Sequence, residues 1–128
     1  MSILGNGVDI VDNLRIKKSI KNSNFIKRIY SNDEIRASKK VKNKTNFFAK
    51  RFAAKEAFVK SLGIGFRNDI NFKDISVKNN NLGKPKLYIN KKIKLLLSNK
   101  LKNKKYKIHL SLSDENRHSI AFVIINKI

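Results

Sequence analysis

The segment Asn46 to Leu62 (NFFAKRFAAKEAFVKSL) contains neither glycine nor proline, is rich in alanine, and stops at Gly63. Alanine and the straight-chain residues favour helix, and a glycine just past the last helical position is a common stop. At about 100° per residue, Ala49, Phe52, Ala53, Glu56, Val59 and Lys60 share one broad face, while Phe47, Ala54, Phe58 and Ser61 line much of the other. A helix that is apolar on two faces must be covered on both. The sequence therefore predicts a largely buried central helix over 46–62, with the rest of the chain wrapped around it.

The flanking segments supply that cover. Ile3 to Val11 mixes glycine with β-branched residues and reads as a strand, with Val8 and Ile10 on one face and Gly7, Asp9 and Val11 on the other. From Asp12 to about Ile29 the apolar spacing fits one helix broken near Asn22-Ser23-Asn24, or two short ones. Ser31-Asn32-Asp33-Glu34 has the spacing of a capping box, so a further helix is expected to begin there. Beyond Gly65, short alternating runs at Ile75 to Lys78 and Lys86 to Ile89 flank a turn-rich stretch and predict a hairpin. Lys91 to Lys102 reads as an amphipathic helix, and Tyr106 to Ser113 and Ser119 to Ile125 as two closing strands. Helices first and most strands last imply an α+β fold, with a mainly antiparallel sheet packed against helices in one domain over 1–128.

The chain lacks cysteine, which excludes disulfides, thiolate metal sites and a cysteine nucleophile. The N-terminus has no basic leader followed by an apolar run, so no secretory signal is expected, and with no apolar stretch long enough for a membrane span the cytoplasm is the default. The charge is strongly one-sided: 30 Lys+Arg against 9 Asp+Glu, a formal +21. Of the basic residues 24 are lysine and 6 arginine, and isoleucine and asparagine are also abundant. Because all three enriched residues have codons written with A and T alone, part of this charge is compositional drift. A nucleic-acid reader is expected to use more arginine for bidentate contacts. A small basic nucleic-acid-binding protein with exposed Phe47, Phe48 and Phe66 remains the alternative reading, although no aromatic strand, glycine-bracketed loop or arginine-rich helix of the usual kinds is visible.

Two of the 9 carboxylates fall where burial is expected: Asp9 inside a strand and Glu56 on the helix face with Phe52 and Val59. Carboxylates are rarely buried alone. Two readings stay open. In one, Glu56 pairs with Lys55, Lys60 or Arg51 on its own helix and Asp9 is a structural acceptor or cap. In the other, Asp9 and Glu56 meet across the strand–helix packing and hold a hard divalent cation. Magnesium typically takes one or two carboxylates and leaves its other positions to water and phosphates. Lys60 and Arg51, a turn away on either side, would then reach phosphate oxygens.

Gly7-Val8-Asp9-Ile10-Val11-Asp12 with Leu14-Arg15-Ile16, and the run from Arg51-Phe52-Ala53-Ala54-Lys55-Glu56-Ala57-Phe58-Val59-Lys60 to Ser61-Leu62-Gly63, resemble the two signature blocks of the holo-acyl-carrier-protein synthases, the small bacterial type of phosphopantetheinyl transferase. The likeness continues through Arg28-Ile29-Tyr30-Ser31, Asp74-Ile75-Ser76-Val77, Gly83-Lys84-Pro85 and His109-Leu110-Ser111-Leu112-Ser113, in order over nearly the whole chain. It implies transfer of the phosphopantetheine arm of coenzyme A to a serine of apo-acyl carrier protein, a step that serves fatty acid biosynthesis, in a magnesium-dependent enzyme. By that resemblance Asp9 and Glu56 hold Mg2+, and Lys60 holds a pyrophosphate oxygen. Arg51 and His109 lie near the phosphates of the adenosine portion, and the Gly63-Ile64-Gly65 turn lets backbone approach coenzyme A. Glu56, directly or through a water on the metal, is the candidate base, and a metal-bound hydroxide acting without Glu56 is the alternative. The helix after the first strand, with Arg15, Lys17, Lys18 and Lys21, would dock the acidic carrier protein. The family is typically trimeric, with active sites between subunits. One departure stands out: Ser113 is followed by Asp114, where many members carry histidine.

Overall fold

The computed structural model describes residues 2–64 and 70–128. Strand β1 (Ile3–Asp12) leads into two short helices, α1 (Asn13–Ser19) and α2 (Ser23–Ile29), then α3 (Asn32–Ser38) and the long α4 (Lys44–Ser61). A single 3-10 turn (Phe72–Asp74) precedes the hairpin β2 (Ile75–Asn79) and β3 (Pro85–Ile89), followed by α5 (Lys91–Lys100), β4 (Tyr106–Asp114) and β5 (His118–Lys127).

Each helix begins where a short polar side chain satisfies free backbone N–H groups. Asp12 accepts from the Leu14 amide at 2.9 Å, and Asn43 accepts from Asn46 at 3.0 Å. The segment 12–29 is therefore two helices, because Asn22 caps a second start by accepting from Asn24 and Phe25. The capping box is present at Ser31 and Glu34. Helix α4 starts two residues earlier than the apolar pattern does, since its Asn43 cap precedes that pattern. It ends at Gly63, whose φ of +70° turns the chain out of the helix. Helix α5 is shorter than expected and closes at Lys100, with Lys102 and Asn103 in the left-handed region.

The strands form two sheets rather than one: β1, β5 and β4 in that order, all antiparallel, and the separate β2–β3 hairpin. Helix α4 lies across the inner face of the larger sheet against β1 and β5, where Ala121, Val123 and Ile125 are fully or almost fully buried. Phe47 and Phe48 are buried, at 8% and 4% exposure, as the two-sided apolar helix implies and contrary to the nucleic-acid alternative, which needs them exposed. Phe66 lies outside the described residues. Among the described residues no helix is long and apolar enough to cross a membrane.

Two glycines explain how closely α4 approaches β1. A Cβ on Gly5 would stand 2.1 Å from the Ser61 carbonyl oxygen, and one on Gly7 would stand 2.0 Å from that of Ala57. Only hydrogen fits at either position, so helix backbone rests directly on strand backbone. Asp9, two residues further along β1, is thereby brought under the next turn of α4.

Candidate functional site

Asp9 projects from the helix-covered side of β1, opposite Ala121, and Glu56 and Lys60 stand one turn apart on α4. Lys60 Nζ donates to Asp9 Oδ1 at 3.0 Å and to the Val8 carbonyl at 3.1 Å, which leaves one of its three hydrogens for another acceptor. The Lys60 side chain is 55% exposed and that of Asp9 15%. Glu56 is half-buried and makes no hydrogen bond among the described residues. Burial first, and then the neighbouring Asp9 carboxylate, push the Glu56 carboxyl above its ordinary pKa, against the pull of Lys60. Asp9 and Glu56 border a cavity of about 330 Å³ together with Arg15, Phe25 and Phe52.

Two expectations change here. Neither carboxylate is fully buried, because both open onto this cavity. Glu56 also takes none of its three neighbouring cations as a bonded partner: Lys60 turns to Asp9, Arg51 to the hairpin, and Lys55 to another helix altogether.

The Lys55 arrangement was not foreseen. Its ammonium, fully buried, donates to Glu34 Oε1 at 2.6 Å, to the Ile29 carbonyl at 2.7 Å and to the Phe72 carbonyl at 3.2 Å. Glu34 Oε1 also accepts from the Ser31 amide at 2.9 Å, and Oε2 from the Val77 amide at 2.9 Å. Burial draws the Lys55 pKa down while Glu34 draws it up. Three acceptors around one nitrogen require the three hydrogens of the charged form. This pair ties α2, α3, α4 and β2 together directly behind Glu56.

Arg51 is buried, its guanidinium 3.6 Å from the Phe47 ring centroid and its Nη2 3.5 Å from Asn79 Oδ1. It therefore points to the β2–β3 turn rather than to Glu56. The adjacent Asn80 borders a second cleft of about 390 Å³ between β3 and β4, whose walls include Lys84, Lys86, Lys107 and His109. Within one chain, then, the predicted residues divide between two clefts: Asp9, Glu56 and Arg15 line one, with Lys60 bonded to Asp9 at its edge, while His109 lines the other and Arg51 approaches it through Asn79. The lysines of the second cleft were not singled out in the sequence, where they are lost among 24 of their kind.

Arg15, Lys17 and Lys18 are exposed on α1, and Lys21 is exposed just after it. Arg15 faces the Glu56 cavity, whereas Lys18 borders a shallow groove with Phe25 and Arg28. Gly63 ends α4 three residues after Lys60; Gly65 lies outside the described residues. Asp114, in place of the common histidine, accepts from Asn46 Nδ2 at 2.8 Å and pairs with Lys50 at 3.4 Å, joining the end of β4 to the start of α4.

Carboxylate oxygens beside a lysine with a spare hydrogen, at a cavity mouth on a small α+β domain, suit a ligand made of phosphates and a hard cation. The sequence pattern of the 4'-phosphopantetheinyl transferase superfamily matches residues 5–123. The chain is 54% identical over 127 residues to the holo-[acyl-carrier-protein] synthase of Pelagibacter ubique, covering 99% of each. Its fold matches the crystal structure of that synthase from Neisseria meningitidis with a TM-score of 0.89 and 34% identity, over 98% of this chain and 100% of the other. The Bacillus anthracis synthase, solved in complex with CoA (3',5'-ADP), matches at a TM-score of 0.81 and 33% identity, covering 98% of each chain. The chain belongs to this superfamily and, within it, to the holo-[acyl-carrier-protein] synthases.

Proposed function

We propose that this chain transfers the phosphopantetheine arm of coenzyme A to a serine of an acidic apo-acyl carrier protein in the cytoplasm, using Asp9, Glu56 and Lys60. The observation that carries this reading is the convergence of those three residues at one cavity mouth, in a chain so similar to the synthases.

The donor set fits magnesium. Asp9 has one carboxylate oxygen beyond that held by Lys60, Glu56 has two without hydrogen bonds, and both residues offer hard oxygen ligands. Among the described residues no third carboxylate or imidazole joins them, which leaves positions for water and phosphate as magnesium prefers. When bound, the ion supplies positive charge against the pyrophosphate. The remaining hydrogen of Lys60 donates to a pyrophosphate oxygen. Glu56, directly or through a water, takes the proton of the serine hydroxyl. The serine oxygen then bonds to the phosphorus of the arm as the phosphoanhydride bond breaks, and adenosine 3',5'-bisphosphate leaves with the electron pair.

The adenosine end is assigned to the cleft of His109 and, through Asn79, Arg51, and the carrier protein to Arg15, Lys18 and Lys21. Because the two clefts are separate within one chain, the complete site is formed between copies. The outer face of the larger sheet supports a homotrimer: Val8, Ile10, Ile120 and Phe122 stand there 54%, 62%, 39% and 42% exposed. Such a patch marks an interaction surface. Three copies carry three times the +21 charge, so an acidic partner and bound phosphates favour the assembly.

The test incubates the protein with coenzyme A, magnesium and apo-acyl carrier protein and follows the carrier by mass spectrometry. The arm is added by the native protein and lost on chelation, and Asp9→Ala and Glu56→Ala each slow transfer by about a hundredfold or more. Unchanged transfer by both variants would refute the assignment. Light scattering reads the trimer, which Phe122→Glu disrupts.

A further inference from the structure

Asn126 is buried, at 7% exposure, on the outer face of β5, where its neighbours are otherwise apolar or exposed. It sits diagonally from His109 across the β4–β5 pair, in which Asn126 opposes Lys107 and His109 opposes Ile124. Its amide has one orientation. Nδ2 donates to the Lys127 carbonyl at 3.0 Å, which turns Oδ1 toward His109 Nε2 at 2.5 Å. An amide oxygen only accepts, so the hydrogen between them belongs to Nε2. His109 Nδ1 has no hydrogen-bond partner among the described residues.

A phosphate group offers acceptors, and a ring nitrogen binds it only as an N–H donor. With Nε2–H committed to Asn126, a phosphate in the cleft is met by Nδ1–H of the doubly protonated ring, a charge-assisted bond. The ring plane is held before the ligand arrives, so less freedom is lost on binding. The surrounding Lys84, Lys86 and Lys107 add positive charge to the same cleft.

We infer that Asn126 is a positioning residue for coenzyme A: it holds His109 with the hydrogen on Nε2, leaving Nδ1 for a phosphate of the ligand. This rests on the assignment of the adenosine end to the His109 cleft. It adds a residue that itself touches no substrate.

Nitrogen-15 NMR of the full-length native protein without coenzyme A reads the tautomer directly, and the neutral His109 ring carries its hydrogen on Nε2. Asn126→Leu abolishes that preference and Asn126→Asp, which keeps an acceptor, restores it. In steady-state assays Asn126→Leu raises KM for coenzyme A about threefold to tenfold with kcat little changed. Because Asn126 acts through His109, adding Asn126→Leu to His109→Ala raises KM no further. An Nδ1–H tautomer in the native protein, or an additive double variant, overturns the inference while His109→Ala still raises KM. If His109→Ala leaves KM unchanged, the assignment of the cleft fails and the inference falls with it.

Discussion

Helix α4 carries two lysine–carboxylate pairs five residues apart, and they serve opposite ends. Lys55 and Glu34 are both fully buried and spend every donor and most acceptor positions on the fold. Lys60 and Asp9 stand at a cavity edge, 55% and 15% exposed, with a donor and acceptors to spare. Residue type is the same in both, and burial separates them. A saturated pair in a dry site cannot exchange partners without unfolding its surroundings, whereas a pair at a mouth can admit phosphate and cation. The helix thus has an anchored side and a working side, and the anchored one fixes where the other sits.

Removing half of the anchored pair is the most damaging way to test that division. Lys55→Met leaves the Glu34 carboxylate buried without its counter-charge, for which a loss of about 3–5 kcal/mol is expected. It also frees the last carbonyl of α2. Combining it with Glu34→Leu removes the stranded charge, so the double variant falls well short of the summed losses, with a coupling of about 2 kcal/mol by denaturant titration. Additive losses would show that the buried pair is two independent contacts.

The spacing between the sides is tested next, at Gly7. A methyl there meets the Ala57 carbonyl oxygen, so Gly7→Ala forces β1 away from α4 at a cost of about 1–3 kcal/mol. The movement separates Asp9 from Lys60 and leaves Lys55 with Glu34. Transfer activity should therefore fall further than the stability loss explains, measured at a temperature where the variant is still folded. An unchanged unfolding midpoint would mean that strand and helix are not held at contact by the glycines.

Much of the working side was legible in the sequence, and the anchored side was not. Asp9 falls in a strand whose alternation places it with Gly7 and Val11, and Glu56 falls on a helix face with Phe52, so their meeting follows once the helix packs on the strand. The Glu34–Lys55 pair joins residues 21 positions apart in two helices. Glu34 was already explained by its capping box, which accounts for the Ser31 amide on Oε1 and says nothing of the Lys55 ammonium on that same oxygen or of the Val77 amide on Oε2. A signal did exist: Lys55 is flanked at helical spacing by Phe48, Phe52, Phe58 and Val59, so a cation there is enclosed by apolar groups and must bring a partner with it. The division of the site into two clefts was out of reach for another reason, since the place where β3 meets β4 depends on how two sheets pack and not on any local pattern.

The smallest effect belongs to the working pair. An exposed ion pair contributes at most about 1 kcal/mol, so Lys60→Ala lowers the stability of the free protein by no more than that. The small loss shrinks as salt rises and screens a contact at the surface, where the Debye length is about 10 Å at 0.1 M. The Lys55→Met loss, inside the fold, persists at the same salt. The activity of Lys60→Ala moves the other way if Lys60 holds the pyrophosphate as proposed: KM for coenzyme A and kcat both suffer in a protein whose unfolding midpoint is almost native. A large, salt-resistant loss of stability in Lys60→Ala would place that residue with Lys55 as an anchor and remove the contrast between the two sides of α4.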